Sequence, residues 1–260
     1  MKKDTLQNKA NLTVLRAKHL GMCFGVRDAI TLAKRVVKSR PLTVLGELVH
    51  NATVLDDLRG EGVQFETLAS DVKTETVMIT AHGASNRTKV RARESGLKLR
   101  DATCPLVHHA HKQVRQLVED GYHPVVIGRR GHVEVRGLTE DLSEHDVVLS
   151  EDDIDALSLR RRYGVVAQTT QPIARVHELV DYLKNCFPAA EVRFVDTVCQ
   201  PTKQRQSAAV ELAKRSDVVL VVGGANSNNT HELAKTCREY CGEVYHVQGP
   251  GDVRSEWLAV

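Results

Sequence analysis

The chain of 260 residues carries 36 Lys and Arg against 33 Asp and Glu, a formal net charge of +3. That balance is too even for a nucleic-acid platform, which needs a basic stripe on one face. Aromatics make up only 4% of the residues, so a core must be built from Val, Leu, Ile and Ala, which favours layered α/β packing over an aromatic-rich barrel.

Residues 1–12 are polar and lack the apolar stretch of a secretion signal. The longest apolar runs are too short to cross a bilayer. The expectation is a cytoplasmic protein with no membrane partner. There thiols stay reduced, so the six cysteines are ligands, nucleophiles or packing residues rather than disulfides.

Cys23 follows Gly21-Met22 and opens a helical pattern that runs to Val37, with Ala29, Ile30, Ala33 and Val36 at helical spacing. Leu42–Leu45 reads as a strand, followed by Gly46 and a turn holding His50. Thr76–Thr80 reads as a second strand, ending in Ala81-His82-Gly83. Cys104 stands in Asp101-Ala-Thr-Cys-Pro-Leu106, ahead of a helical pattern over 109–120. Pro124–Ile127 is a strand before Gly128, and Gly131-His-Val-Glu134 follows as an extended stretch in which His132 and Glu134 point the same way. Gly164–Ala167 leads into Gln168-Thr-Thr170 and a helix over 173–187. Asp196-Thr-Val-Cys199 precedes a polar helix, and the apolar run Asp217–Val222 ends in the small polar turn Gly223–Asn229.

Unalternated apolar runs bounded by turns fit strands buried on both faces of parallel sheets, and their alternation with helices fits βαβ units. The fold class expected is α/β, with three similar modules built on mostly parallel sheets. Ligands in such sheets bind beyond the carboxyl ends of strands, where helix N-termini present free N–H groups. The unusual residues of this chain fall at those ends.

Cys23, Cys104 and Cys199 each sit at a loop–helix junction, where a helix N-terminus lowers a thiol pKa and favours the thiolate a metal needs. Their spacing alone is not a ferredoxin or zinc-ribbon pattern. Cys186, Cys237 and Cys241 read as packing residues. His50, His82 and His132 occupy matching strand-end turns. They could ligate zinc, but no HExxH-type pair supports that; donation of hydrogen bonds to a diphosphate is preferred. Glu134, beside a histidine and an anion, would have its pKa moved as a proton donor requires, although an exposed loop acid is the plain alternative.

Taken in order, Gly21-Met-Cys-Phe-Gly-Val26, Gly46-Glu-Leu-Val-His-Asn51, Ala81-His-Gly83, Asp101-Ala-Thr-Cys-Pro-Leu-Val107, Gly131-His-Val-Glu-Val135, Gln168-Thr-Thr170, Asp196-Thr-Val-Cys199 with Arg205-Gln206, and Asn226-Ser227 with Asn229 resemble one family, the 4-hydroxy-3-methylbut-2-enyl diphosphate reductases (LytB or IspH), from residue 13 onwards. The resemblance implies an oxidoreductase of the non-mevalonate isoprenoid pathway. It would convert its allylic diphosphate, by two-electron reductive dehydroxylation, to isopentenyl and dimethylallyl diphosphates. It implies one 4Fe–4S cluster held by Cys23, Cys104 and Cys199, with one iron free of protein ligands. The substrate diphosphate would be bound by His50, His82, His132, Thr169, Ser227, Asn228 and Asn229, with Glu134 as the catalytic proton donor. Ferredoxin or flavodoxin would donate electrons.

The implied modules are 25–104, 105–195, and 13–24 with 196–260, behind a polar tail at 1–12. The chain departs from the family pattern in two places. Asn228 stands where many relatives carry a small residue. The family also continues past the segment matching Ser255-Glu-Trp257 with a strand, a Gly-Ala-Ser-x-Pro turn whose serine touches the diphosphate, and a helix; the expectation is a C-terminally truncated chain with an incomplete third module. A homologue that binds a cluster as a sensor or redox protein, without catalysis, is the alternative reading; retention of Glu134 weighs against it.

Overall fold

A computed structural model describes residues 12–258. The first helix, α1 (Phe24–Val37), lays Ala29, Ala33 and Val36 against β1 (Leu42–Leu45). Then follow α2 (Ala52–Gly60), β2 (Gln64–Glu66), β3 (Thr76–Ile79), α3 (Asn86–Glu94) and β4 (Lys98–Asp101). The strands form an all-parallel sheet in the order β2-β1-β3-β4, with Leu42 opposite Thr76 and Leu45 opposite Ile79. Leu42, Val44, Leu48, Leu58 and Met78 are fully buried in its core. Each such side chain contributes on the order of 1.5–3 kcal/mol by leaving water.

The second sheet repeats this plan. α4 (Pro105–Glu119), β5 (His123–Ile127), α5 (Val133–Thr139), β6 (Asp146–Val148), α6 (Glu151–Asp155), β7 (Arg162–Ala167), α7 (Ile173–Cys186) and β8 (Glu191–Phe194) follow in the chain. The strands again run parallel, in the order β6-β5-β7-β8. Helices pack on both faces. One core joins Val125, Ile127 and Val165 to α7, and another joins Val126 and Val166 to α4. In both sheets the chain turns outward from the first central strand and then crosses to the second, so β1/β3 and β5/β7 are the switch points where open parallel sheets bind ligands.

The third unit comprises α8 (Gln200–Ala213), β9 (Val218–Val222), α9 (Asn228–Arg238) and β10 (Glu243–Val247). Its two strands are parallel, and α8 and α9 cover one face through Ala213, Ala234 and Cys237. Here the structure corrects the sequence. The run Val218–Val222 reads as a strand buried on both faces, yet burial alternates along it and Val222 is 67% exposed. Among the described residues only one face carries helices, so the pleat turns every second side chain outward. Residues 12–22 precede α1 without forming a helix or strand, and of the 1–12 tail only Leu12 lies within the described residues.

Candidate active site

Each of the three cysteines singled out from sequence is the N-cap of a helix: Cys23 of α1, Cys104 of α4 and Cys199 of α8. Pro follows closely in the last two, pre-setting the first helical turn. Cys104 N–H donates to the carbonyl of Ala81 at 3.0 Å, and Cys199 N–H to that of Thr169, also at 3.0 Å. The cysteines that follow β4 and β8 are therefore stitched to the loops that leave the neighbouring central strands β3 and β7. All three thiols line one cavity of about 380 Å³.

Gly25 shows how closely two of them approach the same space. A Cβ there would lie 2.5 Å from Cys104 Sγ, so no side chain is admissible beside Cys23 on α1. Among the described residues no three His, Cys, Asp or Glu side chains are arranged to hold a single metal ion. The three thiols thus face one cavity without converging on one ion. This donor set suits a multinuclear thiolate-bound group, in which different metals take different thiolates, better than a lone zinc.

The thiol electrostatics differ from the sequence expectation. Burial pushes the pKa of Cys104 up, against the helix N–H groups of Leu106 and Val107, and the other two sulfurs push the same way. Cys199 is also raised, first by burial, against the Thr202 hydroxyl 3.0 Å from its sulfur. Desolvation and three crowded thiols outweigh the helix ends. Of the cysteines read as packing residues, Cys237 and Cys241 are buried, but Cys186 is exposed near Asp155. It ends α7 on the solvent side, which its position before Phe187-Pro188 did not reveal.

The histidines meet as a nest. His50 and His82 stack with ring centroids 4.2 Å apart, and His132 stands edge-on to both at 5.4 and 5.8 Å. They come from the loops after β1, β3 and β5. His50 Nδ1 pairs with Glu47 Oε2 at 2.8 Å, leaving Nε2 buried without a partner, and His82 Nδ1 is likewise buried and unpartnered. His132 Nδ1 accepts the N–H of Glu134 at 3.1 Å, so its hydrogen is carried on Nε2. Burial, then the other two imidazoles, holds His82 well below the usual range; burial with His50 and Arg129 holds His132 at about 4. Buried ring nitrogens without partners, crowded on one cavity wall, are groups available to an incoming ligand.

His132 and Glu134 do come together, but not along an extended strand. His132 is the N-cap of α5 and Glu134 lies in its first turn. Only 2% of Glu134 is exposed. Its carboxyl accepts the Thr169 N–H at 2.6 Å and the Thr169 hydroxyl at 3.0 Å. Burial outweighs both bonds and pushes its pKa up to about 7.

Ser227 caps α9, its Oγ accepting from Thr230 N–H at 3.3 Å, and lines the cavity with Asn228 and Asn229. Asn228 is buried, and its amide donates to Thr170 Oγ1 at 2.9 Å, linking α9 to the loop after β7. The turn ahead of α9 reaches the first unit as well: a Cβ on Gly224 would lie 2.0 Å from the carbonyl oxygen of His50. Every site residue named from sequence thus lines this one cavity. Sequence reasoning did not give roles to Glu47, Thr170, Thr202 or Arg205. The first two orient His50 and Asn228, Thr202 meets Cys199, and Arg205 donates to Gly21 O at 2.7 Å. Glu47, Thr170 and Arg205 stood within the matched stretches without a role, and Thr202 only beside one.

The profile of the LytB protein family matches residues 14–260. A curated relative from Ralstonia nicotianae, a 4-hydroxy-3-methylbut-2-enyl diphosphate reductase, is 36% identical over 256 residues, covering 96% of this chain and 79% of that protein. One of the same name from Nitratiruptor sp. is 32% identical, covering 93% of this chain and 87% of its own length. Among solved structures, the E-1-hydroxy-2-methyl-but-2-enyl-4-diphosphate reductase of Plasmodium falciparum superposes with a TM-score of 0.86 at 30% identity, over 92% of this chain and 77% of that one. The matched span takes in the cysteine-capped helices, the histidine nest and Glu134, and the chain belongs to the LytB family.

Proposed function

We propose that the chain is a reductase that removes the hydroxyl of 4-hydroxy-3-methylbut-2-enyl diphosphate, giving isopentenyl and dimethylallyl diphosphates in the non-mevalonate pathway. The observation that carries this reading is the buried carboxyl of Glu134, tuned to about 7, in the same cavity as three helix-capping thiols and a nest of unpartnered imidazoles. A binding protein needs the thiols but not the acid, which favours an enzyme over a cluster-binding sensor.

Cys23, Cys104 and Cys199 would hold one 4Fe–4S cluster with a single iron left free of protein ligands. When bound, that group supplies the electrons and the Lewis acidity that weaken the allylic C–O bond. The diphosphate is held by His50, His82 and His132 with Ser227, Asn228 and Asn229. His132 already presents Nε2–H, and Glu47, paired with Nδ1 of His50, fixes the orientation of that ring. Binding energy from this remote group orients the reacting end of the substrate. Thr169 fixes the Glu134 carboxyl through its N–H and hydroxyl, and Glu134 delivers the proton with which the hydroxyl departs as water.

The working units are 25–104, 105–195, and 13–24 with 196–260; the Arg205–Gly21 bond ties the N-terminal stretch to α8. Ferredoxin or flavodoxin is the electron donor, and the cytoplasm is the setting. No helix of the described residues is long and apolar enough to cross a membrane. The deciding experiment is an anaerobic assay with the allylic diphosphate and reduced methyl viologen. Formation of both isomeric diphosphates is expected; substrate left unchanged by protein of brown colour would sink the reading.

A further inference from the structure

Cys23 differs from the other two thiols in what covers it. Cys104 and Cys199 follow strands and are stitched to neighbouring loops, whereas Cys23 follows the irregular stretch 12–22. On either side of it stand large apolar side chains turned to solvent: Leu20 is 64% exposed, Met22 40% and Phe24 38%. Single exposed apolar residues are ordinary, but three within five positions, flanking a redox ligand, mark a contact surface.

On the stretch that carries this patch, cations outnumber acids. From residue 12 to residue 30 the chain carries Arg16, Lys18 and Arg27, all exposed, against Asp28 alone. Lys18 and His19 share a surface recess with Lys203 and Glu211 of α8, and Asp196 answers the Lys203 charge, so the net positive rim is left to Arg16, Lys18 and Arg27. The Arg205–Gly21 bond pins the stretch in place, so the apolar residues are presented from a held loop. Apolar contact at the centre and cations at the rim suit a small, transient interface with an acidic partner.

We propose that the surface formed by Leu20, Met22 and Phe24, rimmed by Arg16, Lys18 and Arg27, is the docking site for an acidic electron-transfer protein, which feeds electrons in beside Cys23. This rests on the reductase reading, because only a reductase needs an electron entry. Each turnover consumes two electrons and two protons; the allylic C–O bond breaks, a C–H bond forms and water leaves. The reductant is the docked protein, oxidised by one electron in each of two encounters. Its acidic face is drawn by the cations over about a Debye length, and the apolar patch then excludes water from the contact.

The test is anaerobic turnover of the holoprotein with either an acidic 2Fe–2S ferredoxin or reduced methyl viologen as donor. Lys18→Glu combined with Arg27→Glu is expected to raise KM for ferredoxin about tenfold and to flatten its salt dependence, leaving viologen-driven turnover and the cluster absorbance unchanged. Leu20→Ser is expected to raise the ferredoxin KM while keeping the salt slope. Ferredoxin kinetics unaltered in both variants would overturn the docking site. Wild-type protein that is inactive with viologen would overturn the reductase reading instead, so the two failures are told apart.

Discussion

Glu134 combines near-complete burial with two hydrogen bonds from one threonine, and the two influences oppose each other. The bonds favour the carboxylate, burial favours the neutral acid, and burial prevails at about 7. With Glu134 as the proposed proton donor, kcat is expected to fall about tenfold per pH unit above that value and to level off below it. Glu134→Gln should keep the cluster spectrum and bind substrate, with kcat lower by about 10²–10⁴-fold and the pH dependence gone. A variant that keeps the wild-type pH profile would remove Glu134 from proton delivery. The histidine nest makes a separate prediction. Burial holds His82 and His132 neutral, and a bound anion raises both pKa values. Binding of inorganic pyrophosphate to the holoprotein near pH 7 should therefore take up protons, read by calorimetry as a binding enthalpy that varies with the ionisation enthalpy of the buffer. An enthalpy independent of buffer would mean that the imidazoles do not titrate on binding.

At the scale of elements, three helices are begun by cysteines rather than by Ser, Thr, Asp or Asn, and none of the three has a side-chain cap bond. A cysteine is a weak cap, so these positions give up local stability for a ligand. The backbone around them is correspondingly exacting. Gly25→Ala would drive a methyl group into Cys104 Sγ, and it should mimic Cys104→Ser: little absorbance near ~400 nm after reconstitution, and no activity. Normal iron content in Gly25→Ala would show that the loop yields. Much of this level was legible from sequence. The glycine and proline punctuation set the cysteines at helix starts, and β1, β3, β5 and β7 were readable as apolar runs. What was not legible depended on geometry between distant elements. The pairing of His132 with Glu134 followed a helix cap that reads, residue by residue, like a strand. The one-sided burial of β9 follows from helices covering only one of its faces, and Thr202, Glu47 and Thr170 gained roles only from neighbours brought in by the fold.

At the scale of the molecule, the cavity is shared among all three units. Gly224 packs on the His50 carbonyl, Asn228 reaches Thr170, and Asp141 accepts the first N–H groups of α3 at 2.6 and 3.0 Å. With the bonds of Ser85 to Glu140 and of Gln206 to Gln171, these contacts join the units around the cavity, and a group held by all three would add to them. Removing the cluster is expected to speed amide exchange over residues 20–25, 102–106 and 197–202, while β1, β3, β5 and β7 stay protected. Uniform loosening, core strands included, would show instead that the cluster supports the folding of each sheet. The placement of one cysteine at the head of α1, one at α4 and one at α8 also sets an order in time. During synthesis the first two sheets can form as the chain emerges, since each is built from consecutive segments. Cys199 appears only after both are complete, so with the proposed ligand set iron would not find all three thiolates on a half-made chain. Metal loading would then act as a late check on assembly, open only to a protein whose first two layers have already been laid down.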